Sequence, residues 1–154
     1  MTTSNNTSQK KEYKQTSFRD LVVWQQAFEF AKGVHELVHA LPQEERYALA
    51  AQLNRAALSM SAQIAQGQQK RVKDEFVKHL NYARNNTAVC ETSLMLISDL
   101  FPEHKETVNR LKETNTVIYK MLSALIYTIE NPKKKSEKNE APATTEPVRV
   151  AVAA

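Results

Sequence analysis

The sequence predicts an all-α protein, an up-down-up-down antiparallel four-helix bundle over residues 18–131 with disordered tails at 1–17 and 132–154. Three observations predict it. The chain has only two glycines in 154 residues, with abundant Ala, Leu, Lys, Glu and Gln, a composition suited to helices rather than to strands and turns. Apolar residues recur at alternating steps of three and four through four successive stretches, which is the spacing of one helix face. Short connectors separate the stretches, as antiparallel neighbours in a bundle require.

Residues 1–16 are Ser, Thr, Asn, Gln and Lys with almost nothing to bury, so they are expected to be disordered. Ser17 can cap the first helix with its hydroxyl, and Asp20 suits the first turn. That helix carries two apolar stripes. One is Leu21, Trp24, Phe28, Ala31, His35 and Val38; the other is Val23, Ala27, Phe30, Val34, Leu37 and Leu41. One stripe suffices for an intramolecular core, so the second can be covered by another subunit or by further helices of the same chain. Pro42 stops the helix, because proline disfavours a helical conformation in the residue before it.

The second helix runs from about Glu44 to Gly67 along the stripe Leu49, Leu53, Ala56, Met60 and Ile64. Its other faces are lean in alanine and serine, which gives strong helix propensity and lets neighbours approach closely. Gly67 is expected to end it in a left-handed conformation. Asp74 and Glu75 suit the first turn of the third helix. That helix follows Phe76, Leu80, Ala83, Thr87, Cys90, Leu94, Ile97 and Phe101, a heptad-like period that implies near-parallel packing. Pro102 opens the next segment, and the fourth helix follows Val108, Leu111, Asn115, Ile118, Leu122, Leu125 and Ile129 to Asn131-Pro132. The tail beyond it is low in complexity, Lys133-Lys134-Lys135 followed by a Pro/Thr/Ala-rich run.

Composition narrows the function classes. No apolar run reaches the roughly 18 residues of a membrane span, and the N-terminal residues lack the apolar segment of an export signal. A single cysteine cannot form an internal disulfide. These features lead us to expect a soluble cytoplasmic protein without a membrane partner and without a cofactor. The net charge of +4 is unevenly spread. Each tail is net +2, and residues 18–131 balance 13 basic against 13 acidic side chains. Within that neutral core, residues 50–90 hold Arg55, Lys70, Arg71, Lys73, Lys78 and Arg84 against Asp74 and Glu75. Such a zone suits sequence-nonspecific contacts with RNA or DNA phosphates, and the tails can add loose contacts of their own. The alternative is an ordinary solvated face. No recognition-helix motif or aromatic stacking set for reading bases is visible.

Other candidates are weighed against simpler explanations. His35-Glu36-Leu37-Val38-His39 has the H-E-x-x-H form in which two histidines one turn apart bind zinc and the glutamate activates water. No third ligand stands out, the chain has no strands to support such a helix, and His35 is expected on a core stripe. A small zinc hydrolase built on His35, Glu36 and His39 is therefore the least favoured alternative, and neither a metal nor a catalytic residue is assigned. Cys90 falls within an apolar stripe, where a free cysteine behaves as a small buried hydrophobe. His79 and His104 are isolated and expected as surface or loop residues. Asn115 interrupts an apolar stripe, either as a buried register-setting amide or as a solvated rim residue.

The run Gln52-Leu53-Asn54-Arg55-Ala56-Ala57-Leu58-Ser59-Met60, followed by Gln63-Ile64-Ala65-Gln66-Gly67, resembles a family of small bacterial four-helix-bundle proteins encoded in intervening sequences of large-subunit ribosomal RNA genes. Related bundles are accessory variability determinants of diversity-generating retroelements. Leu21-Val22-Val23-Trp24-Gln25, Leu41-Pro42 with Tyr47, and Phe76, Leu80 and Ala83 extend the resemblance over about residues 18–130. Asn54, Gln63, Gln66, Asn85-Asn86 and Val89 depart from the family pattern. Roles tied to the family's two glutamates therefore do not carry over. The resemblance implies a homo-oligomer, a pentamer, that associates with nucleic acid and with a reverse transcriptase. A candidate subunit interface joins Val23, Phe30, Val34 and Leu37 to Ala50, Ala57 and Ser61. A plain protein-interaction scaffold without nucleic acid is the alternative within the same architecture.

Overall fold

A computed structural model describes residues 16–132, and every regular element among them is helical. The expected disorder of the two tails falls on residues 1–15 and 133–154, outside the described residues. A 3-10 turn, Phe18–Asp20, precedes α1 (Val22–Ala40). The short α2 (Gln43–Arg46) is followed by α3 (Leu49–Gln69) and α4 (Lys73–Leu100). A second 3-10 turn, Pro102–His104, leads into α5 (Lys105–Glu130). The four long helices close a cycle, α3 on α4, α4 on α5, and α1 on both α3 and α5.

The core lies inside that cycle. Phe30 and Leu37 of α1, Leu53, Met60 and Ile64 of α3, Leu80, Leu94 and Ile97 of α4, and Ile118 and Leu122 of α5 are all buried. Removing a side chain of this size from water stabilises by about 1.5–3 kcal/mol. The heptad-like stripes of the last two long helices thus face inward as their spacing predicts.

Three local expectations need correction. The second helix is two helices, because the chain breaks at Tyr47 and Ala48, where Ala48 has φ −100° and ψ −96°. Arg46 accounts for the short α2. Its Nε donates to Leu41 O at 3.0 Å and its guanidinium NH2 donates to His39 O at 2.7 Å. These bonds cap the C-terminal carbonyls of α1 and tie α2 back across Pro42. Gly67 does not end α3, which continues in helical conformation to Gln69, and no glycine has a positive φ. Close approach is what position 67 requires: a Cβ there would stand 2.7 Å from His79 Cβ and 2.9 Å from Phe76 Cδ2.

The third correction concerns the two stripes of α1. Val23, Ala27, Phe30, Val34, Leu37 and Leu41 are all buried, and of the other stripe Val38 alone is. Leu21, Trp24, Phe28, Ala31 and His35 are partly or fully exposed. The residues expected at a subunit interface already lie inside this chain. Val23, Phe30, Val34, Leu37, Ala50, Ala57 and Ser61 are all buried within the single chain, because α1 packs on α3 and α5, and α3 on α1 and α4. Trp24 is half-buried, stacked on Phe28 with ring centroids 5.0 Å apart, and Phe18 meets it edge-on.

Contacts between helices define two ends. His79 Nδ1 donates to Gln63 Oε1 at 2.7 Å, and Asn86 Nδ2 to Ser59 Oγ at 3.2 Å. Residue numbers fall along α3 as they rise along α4. Leu49 and Gln52 share a groove with Thr92, Ser93 and Leu96, and Ala40 shares another with His104. The corner end therefore gathers the close of α1, α2, the start of α3, the close of α4 and the start of α5. The opposite end holds the turn Phe18–Asp20, the close of α3 and the start of α4, since Gln68 Nε2 donates to Thr16 O at 3.2 Å.

Candidate nucleic-acid interface

The α3–α4 turn is built by two helix ends. Lys70 caps α3 in extended conformation, its N–H bonded to Gly67 O at 3.0 Å. Val72 is the extended N-cap of α4, with Phe76 N–H donating to Val72 O at 3.0 Å. The turn is short because Gly67 lets α3 and α4 meet at contact distance immediately before it. Lys70, Arg71 and Lys73 are all exposed on it. Asp74 and Glu75, equally exposed, follow in the first turn of α4.

The structure brings together three of the six basic candidates. Arg55 is exposed but lies fifteen residues before Lys70, about 22 Å along α3. Lys78 is exposed on α4 yet turned about 140° from Lys73 around the helix axis. Arg84 returns to within about 20° of Lys73 but stands about 16 Å further along. It is half-buried, and its guanidinium donates to Asn81 Oδ1 at 2.8 Å. A compact cluster exists at the turn alone, and the other cations are strung along the helix pair.

One cation escaped the sequence reading. Arg19 is exposed on the Phe18–Asp20 turn, its guanidinium 4.8 Å above the Phe18 ring. That turn and the end of α3 line a groove of about 260 Å³ with Thr16, Gln68 and Gln69. Gln25 Nε2 fixes the turn by donating to Arg19 O at 2.8 Å. No periodic signal marks Arg19; only the folding of the N-terminal turn against α3 brings it to the basic turn.

The remaining candidates resolve differently. His35 is exposed rather than in the core. His39 Nδ1 donates to His35 O at 2.9 Å, and the two rings lie 4.2 Å apart. Glu36 lines a groove of about 380 Å³ on the α5 side with His104 and Arg110. No group of three or more His, Cys, Asp or Glu side chains able to hold a metal occurs among the described residues. Cys90 is fully buried, and burial pushes its thiol up to about 12, which keeps it from acting as a nucleophile at neutral pH. His79 is half-buried at the α3–α4 seam rather than on the surface. Asn115 is buried and donates through Nδ2 to Thr87 O at 2.9 Å, joining α5 to α4.

A family model described as 23S rRNA-intervening sequence protein matches residues 19–124. The solved structures similar to this chain include a protein of unknown function from the S23 ribosomal protein family of Bacteroides thetaiotaomicron VPI-5482. It is 24% identical, with a TM-score of 0.63 over 68% of this chain and 98% of that one, a likeness of fold. No curated protein matches the sequence.

Proposed function

The chain belongs to the 23S rRNA-intervening sequence protein family, and from that premise we propose that it is a non-enzymatic accessory protein that binds RNA or DNA through the α3–α4 turn. Its architecture in this reading is an up-down-up-down antiparallel four-helix bundle. The observation that carries the proposal is the placement of Lys70, Arg71 and Lys73 on one exposed turn between two long helices. Long cationic side chains on such a turn reach phosphates while staying hydrated, and phosphate contacts carry no sequence information. Affinity in this reading is therefore salt-sensitive and indifferent to sequence.

The resemblance to retroelement accessory proteins adds two finer elements to the proposal: a homo-oligomer, five-fold by that resemblance, and a reverse transcriptase as the enzyme served. A subunit interface would be drawn from the outer α1 stripe, with Trp24 and Ala31 half-buried and Phe28 exposed, and from Leu58 on α3, which is 62% exposed. The test is binding of unrelated RNA and duplex DNA sequences across a range of salt. Replacing Lys70, Arg71 and Lys73 together by glutamine should weaken all sequences alike. It should also lower the log–log salt slope on duplex DNA by about 3 per subunit engaged. An unchanged slope, or a loss confined to one sequence, would count against this site. Mass measurement in solution, with and without nucleic acid, reads the assembly.

A further inference from the structure

His35 and His39 stand one helical turn apart on α1, and both are exposed. Side chains four residues apart share one face of a helix, and each leans toward the helix N-terminus. His39 therefore folds back over His35, with ring centroids 4.2 Å apart and planes tilted by 52°. A hydrogen bond fixes its orientation. A carbonyl oxygen only accepts, so His39 Nδ1, 2.9 Å from His35 O, carries the proton. In the neutral ring the lone pair then lies on Nε2, where it is available to a cation. Metal-ligating histidines are held in this way, the other ring nitrogen donating to a carbonyl that sets tautomer and direction.

The spacing of the two rings matches what a shared metal requires. A ligating nitrogen stands about 2.0–2.1 Å from the metal, which puts each ring centroid about 3.2 Å from it. Two such centroids are about 4.5 Å apart when the ligands subtend a right angle, as on neighbouring corners of a tetragonal site. At the tetrahedral angle of zinc they are about 5.2 Å apart. The observed 4.2 Å is nearer the first, and small rotations of two exposed side chains cover the rest. Tetragonal coordination by nitrogen and oxygen suits Cu(II) and Ni(II), and Cu(II) is the most tightly bound of the divalent first-row ions. Elsewhere among the described residues the soft donors stand apart. His79 Nδ1 is engaged with Gln63, His104 has no second histidine one turn away, and Cys90 is buried.

We propose that His35 and His39 form a two-histidine chelate on the outer face of α1 for a divalent first-row metal, Cu(II) in preference to Zn(II). His39 binds through Nε2, and water fills the positions that the protein leaves open. Two protein ligands fall short of the three that hold a resident catalytic zinc, so the metal exchanges with solution. The site goes beyond the nucleic-acid reading and does not depend on it, since the basic turn lies between two other helices. It also differs from the hydrolase that the H-E-x-x-H spelling suggests. Glu36 is turned about 100° from His35 around the helix and lines the groove on the α5 side with His104 and Arg110. The motif thus supplies a chelate without the base that would activate a bound water.

The test titrates the full chain, first stripped with a chelator, with Cu(II) and Zn(II) salts in separate experiments at about pH 7.5, where an ordinary imidazole is mostly neutral. Wild type should bind Cu(II) about ten-fold or more tightly than Zn(II), and electron paramagnetic resonance should show nitrogen coupling to the copper. His39→Asn removes Nε2 but can keep the bond to the carbonyl of residue 35. Asn81, Asn86 and Asn131 each make that bond to the carbonyl four residues before them. His39→Asn and His35→Ala should each lower Cu(II) affinity about ten-fold or more, the scale on which even outer-shell partners of a metal act. Glu36→Gln and His104→Ala should bind as wild type does. Circular dichroism should be the same for all, since none of these side chains is in the core. Wild-type protein that takes up no Cu(II), or Cu(II) binding that survives both His35→Ala and His39→Asn, would overturn the chelate. Zn(II) bound more tightly than Cu(II) and lost in Glu36→Gln would also overturn it, because the glutamate would then belong to the site.

Discussion

The two ends of this bundle are made from similar helices and differ in almost everything else. At the corner end, Glu44, Glu45, Asp99, Glu103 and Glu106 outnumber Arg46 and Lys105, so that end is net −3. Its two connectors each contain a proline, and Arg46 closes the first by binding the last carbonyls of α1. At the other end the connector has no proline, three cations share an exposed turn, and Gly67 brings two helices to contact distance. A neutral core can therefore be polarised along its axis. What a partner meets is set by which end it approaches, not by the total charge.

The largest expected effect separates the two glycines. Gly67→Ala should destabilise the fold by about 2 kcal/mol in urea unfolding, even though alanine favours a helix by about 1 kcal/mol. Its new methyl would press on His79 Cβ and the Phe76 ring, which are held by α4. Gly33→Ala meets only the end of the Leu111 side chain, so it should stay within about 1 kcal/mol of wild type in either direction. Equal losses at both positions would remove close helix approach as a distinction between the ends.

Next in size is the lock at the corner. Arg46→Met keeps the apolar stem but removes the donors to His39 O and Leu41 O. A loss of about 1 kcal/mol in the same unfolding assay is expected, because the site is only half-buried and water replaces part of what is lost. Arg46→Lys should recover less than half, since one ammonium does not reproduce the planar fork.

Cys90, between the ends, sharpens the comparison by reporting on the body alone. Its buried thiol is raised from 9.0 to about 12, so thiolate forms in the unfolded chain before it forms in the folded one. Its contribution is complete below 9.0 and is lost as pH rises from there toward about 12. At about pH 9.5, wild type should have lost about 0.8 kcal/mol more, relative to neutral pH, than Cys90→Ala has lost. Identical pH profiles for the two proteins would show that the thiol is not shielded.

The smallest effect belongs to the acidic end. Changing Glu44, Glu45 and Glu103 to glutamine should alter RNA affinity by less than about two-fold near physiological salt, where the Debye length is about 8 Å. The α3–α4 turn lies several such lengths away along α4. A clear gain in affinity at that salt would mean that the acidic end faces the strand after all.

Much of the fold was legible because helix spacing is explicit in the chain. The stripes of α4 and α5 read directly as the faces that are buried. The two stripes of α1 have the same three-and-four spacing, so periodicity does not distinguish the inner one. What separates them is the packing of α3 and α5, a property of other segments. Gly67 was misread because a glycine near a helix end usually signals a left-handed residue, whereas here it clears space for His79 and Phe76. Of the candidate site, the turn with Lys70, Arg71 and Lys73 was legible as a run of like charges. The approach of Arg19 to that turn depends on contacts between residues far apart in sequence.

The buried amide of Asn115 bears on how firmly α5 is held against α4. Its Nδ2 reaches Thr87 O, while its Oδ1 is buried without a partner. Sliding α5 by one turn along α4 would carry the amide about 5.4 Å from that carbonyl and place it among apolar neighbours. Leaving such a donor buried and unmade costs about 1–3 kcal/mol. Asn115 thus works as a notch against slippage. Because the same slide would shift Glu130 by the same distance, the notch also fixes how far the close of α5 stands from the start of α4.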